Sequence, residues 1–371
     1  MSLAAETRRH DIDALRVLAF GLLILYHVGM FYVADWGWHV KSAHQAEWLQ
    51  LPMTLVNQWR MPLIFIVSGL AVNFIWGKYS TGRFAWRRFV RLMIPLIFAM
   101  ATIIAPQCYY EALSKGIIEP GFIAFMKNYW TFQEFPGQAW AGENEITWTW
   151  NHLWFLPYLF VYTLVLIPIA LFLEGPGRKL RELFQGMRHF WLLTLPVIPF
   201  VLYSTFVFPK FPYISHALFD DGYAHAVYGT CFLFGFLTGR DEGIWSEIAR
   251  LRMITLLLAM ITFTLFITSD APNIFIRNFN GWFWLLTVMG WGHYLLSRPA
   301  RWITYGTEAV YPWYILHQTI TVVVGYKLSK LALGPVVEPF LLLVATIGGC
   351  YIGHEYIIRR VRLLRPLFGL K

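Results

Sequence analysis

The fold is decided at residues 14–33, which read ALRVLAFGLLILYHVGMFYV. This segment is apolar apart from Arg16 and His27, and a helix of about 20 such residues crosses a bilayer. It is too long for a cleaved signal peptide, and no small-x-small site follows it. Of the 371 residues, 57% are hydrophobic and only 14% charged, against about 25% charged in soluble domains. The chain is therefore predicted to be an integral membrane protein.

Further apolar segments of similar length recur along the chain, and no internal repeat relates them. We predict an all-α fold, a polytopic integral membrane helix bundle with about ten transmembrane helices. Residues 1–371 are expected to form a single membrane domain with no additional soluble domain. The predicted spans lie at 14–33, 55–76, 89–111, 153–173, 189–208, 223–239, 251–268, 281–297, 304–326 and 338–358.

The distribution of Lys and Arg predicts the orientation of these spans. With both termini cytoplasmic, the inner segments carry 21 of the 30 Lys and Arg residues and the outer loops carry seven. The net charge of +9 is therefore attributed to cytoplasmic loops of a membrane protein, not to nucleic-acid binding. The three cysteines are widely spaced, which excludes a disulfide scaffold and a cysteine-based zinc site.

Ionisable residues within spans are costly and are functional candidates by default. At 100° per residue, Arg16 and His27 lie within about 20° of each other on one helix face, and Asp13 lies within about 40° of the same line. A buried neutral imidazole accepts a proton from a hydroxyl when its other nitrogen is held by a partner. The alternative is a histidine that merely bonds a backbone carbonyl in the bundle.

An arginine-rich stretch precedes the third span. Arg88 and Arg91 are three residues apart, and Arg87 and Arg91 four apart, so we expect them on one helix face. Arginine pairs bind phosphate in a bidentate manner, as a nucleotide-bearing donor at the cytoplasmic face requires. The alternative is positive-inside charge with lipid headgroup contacts.

Other polar residues in or beside spans are weaker candidates, because each alone is more typical of packing. We also expect Glu355 to pair with an arginine. Trp36, Trp38, Trp148 and Trp150 are interpreted as interface anchors, with stacking on sugar rings as the alternative. The weaker candidates are Arg60, Ser68, His152, Trp154, His317 and Glu355.

Taken together and in order, these landmarks resemble the acyltransferase-3 family of polytopic inner-membrane O-acyltransferases. The subgroup that succinylates osmoregulated periplasmic glucans is the most similar, on residues 13–27, 38–43, 60–61 and 355–368. The family landmarks are Arg16 with His27, Phe65 to Gly69, Arg88 and Arg91 with Pro95, HLWFL at 152–156 and YILH at 314–317.

The resemblance implies transfer of a succinyl or acetyl group from cytoplasmic acyl-CoA to a hydroxyl of an extracytoplasmic glycan, such as periplasmic glucan. His27 becomes the general base, Arg16 and Asp13 orient or balance charge, and Arg87, Arg88 and Arg91 hold the CoA phosphates. The weaker candidates become substrate-binding residues. Acyl-CoA is a co-substrate, with no permanently bound cofactor and no metal. The transfer route, direct or through an acyl-histidine, stays open.

The same resemblance implies a multi-pass protein of the bacterial inner membrane. Its expected partners are acyl-CoA, the glycan acceptor and membrane lipids, without nucleic acid, and homo-oligomerisation is left open. The outer segment 107–151, with turns at 136–137 and 141–142, is the expected place of acceptor selectivity.

Two rival functions use the same polar residues. A proton-coupled transporter or flippase explains intramembrane His, Arg and Glu as a proton relay, although the spans hold few acidic residues. The second rival is a non-catalytic partner in a glycan-synthesis complex, in which the same motifs would have only a structural role. Thioester turnover by the purified protein separates an enzyme from both rivals.

Overall fold

The computed structural model describes residues 8–131, 148–271 and 273–370, and within these ranges the protein is helical, without a strand. Short 3-10 turns at Glu47–Leu49, Asn151–Trp154 and Leu195–Val197 and a π-helix at Gly353–Ile358 adjoin the α-helices. The α-helices are α1 (His10–Tyr32), α2 (Gln50–Asn57), α3 (Arg60–Ile75), α4 (Thr81–Ala101), α5 (Ala105–Ser114), α6 (Phe122–Trp130), α7 (Phe155–Glu174), α8 (Arg178–Gln185), α9 (His189–Thr194), α10 (Ile198–Phe206), α11 (Gly222–Thr238), α12 (Glu242–Thr268), α13 (Ile274–Leu295), α14 (Arg301–Leu328), α15 (Gly334–Ile352) and α16 (Leu364–Leu367).

All ten segments predicted to span the membrane coincide with helices, so the all-α class is confirmed. Within the described ranges, six helical stretches are long and apolar enough to cross a membrane. A seventh is added if α4 and α5, bent by 41° at their junction, form one span. The remaining predicted spans are α11, α13 and α14, so the count of ten and the cytoplasmic termini stay predictions. The six stretches are His10–Tyr32, Glu47–Ile75, Asn151–Glu174, His189–Phe206, Glu242–Thr268 and Gly334–Ile358.

The chain divides into two compact units. The first contains residues up to 19, 54–86 and 158–307, and the second contains 20–53, 87–157 and 308–371. Helices α1, α4, α7 and α14 each contribute residues to both units. The two units are described separately below.

The first unit is held together where glycines bring helix backbones into contact. A Cβ on Gly69 of α3 would overlap the carbonyl oxygen of Phe232 in α11, and one on Gly235 would overlap that of Ile66. Since helices in a membrane associate through close packing, small residues at the crossing permit the approach. The Ser-Gly landmark of the second predicted span therefore has a packing role at its glycine.

The second unit packs the end of α1 against α14 and α15. Phe31 is fully buried, and a Cβ on Gly325 would lie 2.6 Å from its ring, so Gly325 makes room for Phe31. Val322 and Leu342 belong to the same apolar cluster as Phe31. The packing fixes the position of α14 against the C-terminal half of α1, and each of these two segments carries a histidine one or two turns away.

The loop that follows α1 folds back over the end of that helix. Lys41 Nζ donates to the carbonyl oxygens of Met30 (2.9 Å) and Val33, which have no partner inside the helix. Burial lowers the pKa of the Lys41 ammonium. Ser42 Oγ donates to Glu338 in α15 at 2.7 Å. These bonds hold the intervening loop, which carries Trp38 and His39, in a defined position.

Candidate functional site

Three histidines from three separate elements meet in the second unit. His27 Nδ1 of α1 lies 2.8 Å from His317 Nε2 of α14, and the two ring planes are within 6° of each other. His152, in the 3-10 turn before α7, places its ring centroid 5.2 Å from that of His317 and 6.5 Å from that of His27. His317 is fully buried and His152 nearly so. The structure thus brings one predicted catalytic residue together with two predicted substrate-binding residues.

Hydrogen bonds to backbone carbonyls determine which nitrogen of His317 carries the proton. Its Nδ1 lies 3.1 Å from the carbonyl oxygen of Trp313 and 2.8 Å from that of Tyr314. A carbonyl oxygen can only accept, so Nδ1 is the donor. In the neutral ring Nε2 is then an acceptor, and it faces His27.

The protonation of His27 follows from that of its partner. Because His317 Nε2 accepts, His27 Nδ1 must donate, and the Nε2 of neutral His27 carries the basic lone pair. A proton added at His27 Nε2 leaves this bond intact, whereas one added at His317 Nε2 would set two N–H donors against each other at 2.8 Å. His317 thus orients His27 and fixes its tautomer, which is what a general base requires.

His152 is fixed by reciprocal bonds with Tyr314. The His152 Nε2 donates to the Tyr314 carbonyl oxygen at 3.1 Å, and the Tyr314 hydroxyl donates to the His152 carbonyl oxygen at 2.6 Å. The Tyr314 carbonyl therefore accepts from both His152 and His317. This arrangement joins the 3-10 turn to α14 and holds the rings of His152 and His317 through one carbonyl oxygen.

A second polar network adjoins the histidines. His39 Nδ1 contacts the carboxylate of Glu111, which is buried in α5 and is also paired with Lys115. The His39 Nε2 lies 2.9 Å from Gln318 Nε2, and Gln318 follows His317 in the chain. Gln318 Nε2 also lies 2.9 Å from Asn151 Oδ1 and 3.2 Å from Gln107 Oε1.

Trp38 adjoins both groups. Its ring centroid is 6.4 Å from that of His27 and 5.4 Å from that of His39. The ring is half-buried, so part of its surface is accessible to a ligand. Trp36 and Trp38 are predicted to be interface anchors, with sugar stacking as the alternative, and both roles stay predictions.

Asp13 and Arg16, the other predicted catalytic residues, lie on the part of α1 that belongs to the first unit. Arg16 Nη2 donates to Asp13 Oδ1 at 3.1 Å, and Arg8 Nε donates to Asp13 Oδ2 at 2.8 Å. All three are partly accessible. Their predicted proximity on one helix is confirmed, and their joint action with His27 stays a prediction.

The three predicted CoA-binding arginines do not share one exposed face. Arg87 and Arg91 are exposed on α4, whereas Arg88 is 8% exposed. No described residue accepts a hydrogen bond from Arg88 Nε. Tyr311 donates to the Arg91 carbonyl oxygen at 3.1 Å, which joins this turn of α4 to α14. The expectation of a single helix face was wrong. Neighbouring residues on a helix point in different directions, and packing on α4 buries Arg88 but not Arg87 or Arg91.

The remaining predicted residues are dispersed. Ser68 Oγ donates to the Ile64 carbonyl oxygen of its own helix at 2.8 Å, and Arg60 is buried in the first unit with Asn57 at 3.4 Å. Trp154 is buried two residues after His152. Glu355 pairs with Arg359 through two contacts of 2.9 Å, which confirms the expected arginine partner.

Sequence reasoning missed the residues of the second network. Glu111 was the available signal, since it is a carboxylate at the end of a predominantly apolar predicted span. The network residues not singled out are His39, Gln107, Glu111, Asn151 and Gln318.

Two further predictions concern metals and acceptor selectivity. In the part of the chain that the structure describes, no group of three His, Cys, Asp or Glu residues is arranged to hold a metal ion. Of the outer segment predicted to select the acceptor, residues 132–147 with both predicted turns lie outside the described residues.

A multi-pass helical membrane protein with a histidine cluster joining separate helices is the class that this fold and site define. A sequence profile described as an acyltransferase domain matches residues 9–355, so the chain belongs to the acyltransferase-3 family and is a membrane acyltransferase. The chain is also similar to "Glucans biosynthesis protein C" of Escherichia coli strains K12, O139:H28 and O81. Each is 23% identical over 382 residues, covering 98% of this chain and 95% of the relative. No solved structure gives a significant match.

Proposed function

We propose that this protein transfers an acyl group, succinyl or acetyl, from acyl-CoA at the cytoplasmic face to a hydroxyl of an extracytoplasmic glycan such as periplasmic glucan, with His27 as general base. The observation that carries the proposal is the hydrogen bond between His27 Nδ1 and His317 Nε2. It leaves the basic lone pair on His27 Nε2, where a hydroxyl proton can be received.

The chemistry needs no other proton acceptor. As the acceptor oxygen attacks the thioester carbonyl, its proton moves to His27 Nε2. When the tetrahedral intermediate collapses, the C–S bond breaks and the same proton is returned to the leaving thiolate. The products are the glycan ester and free CoA, and the histidine pair ends in its starting tautomer.

Arg88 supports the use of acyl-CoA as co-substrate. Its buried guanidinium lacks an acceptor at Nε among the described residues, and the exposed Arg87 and Arg91 adjoin it. We assign the CoA phosphates to these three residues, since arginine binds phosphate in a bidentate manner. The narrow pantetheine arm would then extend through the bundle to His27.

The glycan acceptor and the inner membrane are inferred from the relatives. Their name is that of a glucan biosynthesis protein, and the half-buried ring of Trp38 beside His27 suits a sugar ring. Arg60, Ser68, His152, Trp154, His317 and Glu355 remain candidates for substrate contacts, with His317 acting through His27. Homo-oligomerisation is not needed for this chemistry.

Release of free CoA by the detergent-purified protein tests the proposal. The assay uses acetyl-CoA and succinyl-CoA, with and without periplasmic glucan, and compares the wild type with His27→Ala. We expect CoA release that depends on the acceptor and that His27→Ala abolishes. His44→Ala, which replaces a half-buried histidine in the loop after α1, should retain this release. Absence of release with both donors, together with proton-linked uptake into proteoliposomes, would establish the transporter alternative instead.

A further inference from the structure

Asn151 presents a buried hydrogen-bond donor that no described residue satisfies. Its Nδ2 is inaccessible to solvent and has no acceptor within the described ranges. An unpaired buried donor is destabilising, so a donor of this kind is expected where a ligand supplies the acceptor. The Asn151 backbone has a φ of 44°, in the left-handed region that asparagine tolerates better than most residues.

The direction of this donor is fixed by a chain of hydrogen bonds that begins at Glu111. The Glu111 carboxylate can only accept, so His39 Nδ1 donates to it. The Nε2 of neutral His39 is then an acceptor, and it faces Gln318 at 2.9 Å. Gln318 must therefore turn its amide nitrogen, not its oxygen, toward His39.

The same amide nitrogen of Gln318 fixes Asn151. It donates to Asn151 Oδ1 at 2.9 Å, so a flipped Asn151 amide would set two NH₂ groups against each other. Gln107 agrees with this assignment, because its Oε1 lies 3.2 Å from the same nitrogen. One buried carboxylate thus determines, three hydrogen bonds away, that Asn151 turns its oxygen to Gln318 and its NH₂ group elsewhere.

Asn151 belongs to the same small region as the proposed base. The next residue, His152, has its ring 6.5 Å from that of His27. Gln318, which Asn151 contacts, follows the His317 that bonds His27. Asn151 is therefore linked to both histidines that adjoin His27, to His152 through the chain and to His317 through Gln318.

We propose that Asn151 Nδ2 donates a hydrogen bond to the carbonyl oxygen of the acyl thioester, and that Glu111 positions it through His39 and Gln318. This inference rests on the proposed acyl transfer. Negative charge develops on that oxygen as the acceptor hydroxyl adds to the carbonyl, while the hydroxyl proton passes to His27. A donor oriented in advance stabilises the charge without reorganisation at the moment of reaction.

Two substitutions of Asn151 separate the donor from the fold. Asn151→Asp keeps an oxygen for Gln318 but removes the NH₂ group, and Asn151→Gly removes the side chain while tolerating the positive φ. Both should lower kcat by about 10²- to 10³-fold, with the KM values for acyl-CoA and acceptor little changed. Unchanged kcat in Asn151→Gly, or a rise confined to the KM of the acceptor, would overturn the assignment.

The positioning role of Glu111 has its own test. Glu111→Gln can donate to His39 and reverse its tautomer, so it should lower kcat in the same way. Ser114→Ala is the matched control, because Ser114 Oγ bonds backbone carbonyl oxygens, that of Glu111 at 2.8 Å and that of His39 at 3.5 Å, and not the side chains of the network. If Glu111 acts through Asn151, Glu111→Gln should add no further loss of kcat to Asn151→Gly. Fully additive losses would refute the positioning role.

The reference measurements are the wild type and His27→Ala in the same assay. Turnover that is lost in His27→Ala but kept in both Asn151 variants would leave the acyl-transfer function standing and overturn this inference alone. A wild type that turns over neither donor with glucan would overturn both. Turnover lost in His27→Ala and reduced through kcat in both Asn151 variants is the result we expect.

Discussion

His27 and His317 are 290 residues apart in the chain, yet His27 Nδ1 lies 2.8 Å from His317 Nε2 and the two rings are nearly coplanar. His317 in turn donates from Nδ1 to two carbonyl oxygens of its own helix, which fixes the direction of the bond between the histidines. The base and the group that orients it are therefore supplied by different helices, and both can be tested separately.

Replacement of His317 should impair the chemical step and not substrate binding. His317→Leu removes the acceptor for His27 Nδ1, and we expect kcat to fall by about 10²- to 10⁴-fold with the KM for acyl-CoA little changed. His317→Gln can offer an amide oxygen to His27 and should retain more activity than His317→Leu. Equal activity of the two variants would contradict the tautomer argument. Steady-state CoA release provides the measurement.

Arg88 is expected to act on the donor. Arg88→Ala should raise the KM for acyl-CoA by about 10- to 100-fold, since a hydrogen bond to a charged group contributes about 1.5–3 kcal/mol. Arg88→Lys keeps the charge but loses the planar guanidinium that bonds phosphate through two N–H groups. Its KM for acyl-CoA should therefore lie between those of Arg88→Ala and the wild type. Arg83→Ala, an exposed arginine of the same helix, is the control. A change in the KM of the acceptor alone would argue against a phosphate site.

Gly69 should be intolerant of a side chain. In Gly69→Ala the new Cβ would overlap the Phe232 carbonyl oxygen, so α3 and α11 must separate, at a cost of about 1–3 kcal/mol. Gly21→Ala in α1 meets no atom within 4 Å and should be neutral or stabilising, because alanine favours the helix. Thermal unfolding in detergent compares the two variants. An unchanged melting temperature of Gly69→Ala would contradict the close backbone approach.

His216 should make the protein sensitive to acid. Burial lowers its pKa from 6.5 to about 4, although Asp221 nearby opposes the shift. The unfolded chain binds this proton below pH 6.5 and the folded chain only below about 4, so stability is lost as pH falls through this window, by about 3 kcal/mol at most. His216 has a φ of 58°, which asparagine tolerates, so His216→Asn should remove this part of the pH dependence.

Unfolding of the wild type and of His216→Asn, measured at pH 7 and pH 5, tests this prediction. The wild type should lose more stability than His216→Asn between these two values, and equal losses would place the acid sensitivity at other groups.

The sequence by itself determined the helical class, because the apolar runs, the low charge content and the need to satisfy the backbone in lipid leave few alternatives. It also determined contacts between near neighbours, as in Glu355 with Arg359 and Asp13 with Arg16, since residues three or four apart meet on one helix face. His27 was identified on the same local grounds, as an ionisable residue within an apolar span.

Only the tertiary structure decided what His27 contacts. Its bond to His317, and the bonds that join Glu111, His39, Gln318 and Asn151, connect residues that are 72 to 290 positions apart. Helical periodicity carries no information on such pairs, because they depend on how α1, α5 and α14 pack. For the same reason it did not predict that Arg88 would be buried while Arg87 and Arg91 stay exposed. Packing between helices, and not the pattern within any one of them, assembles this site.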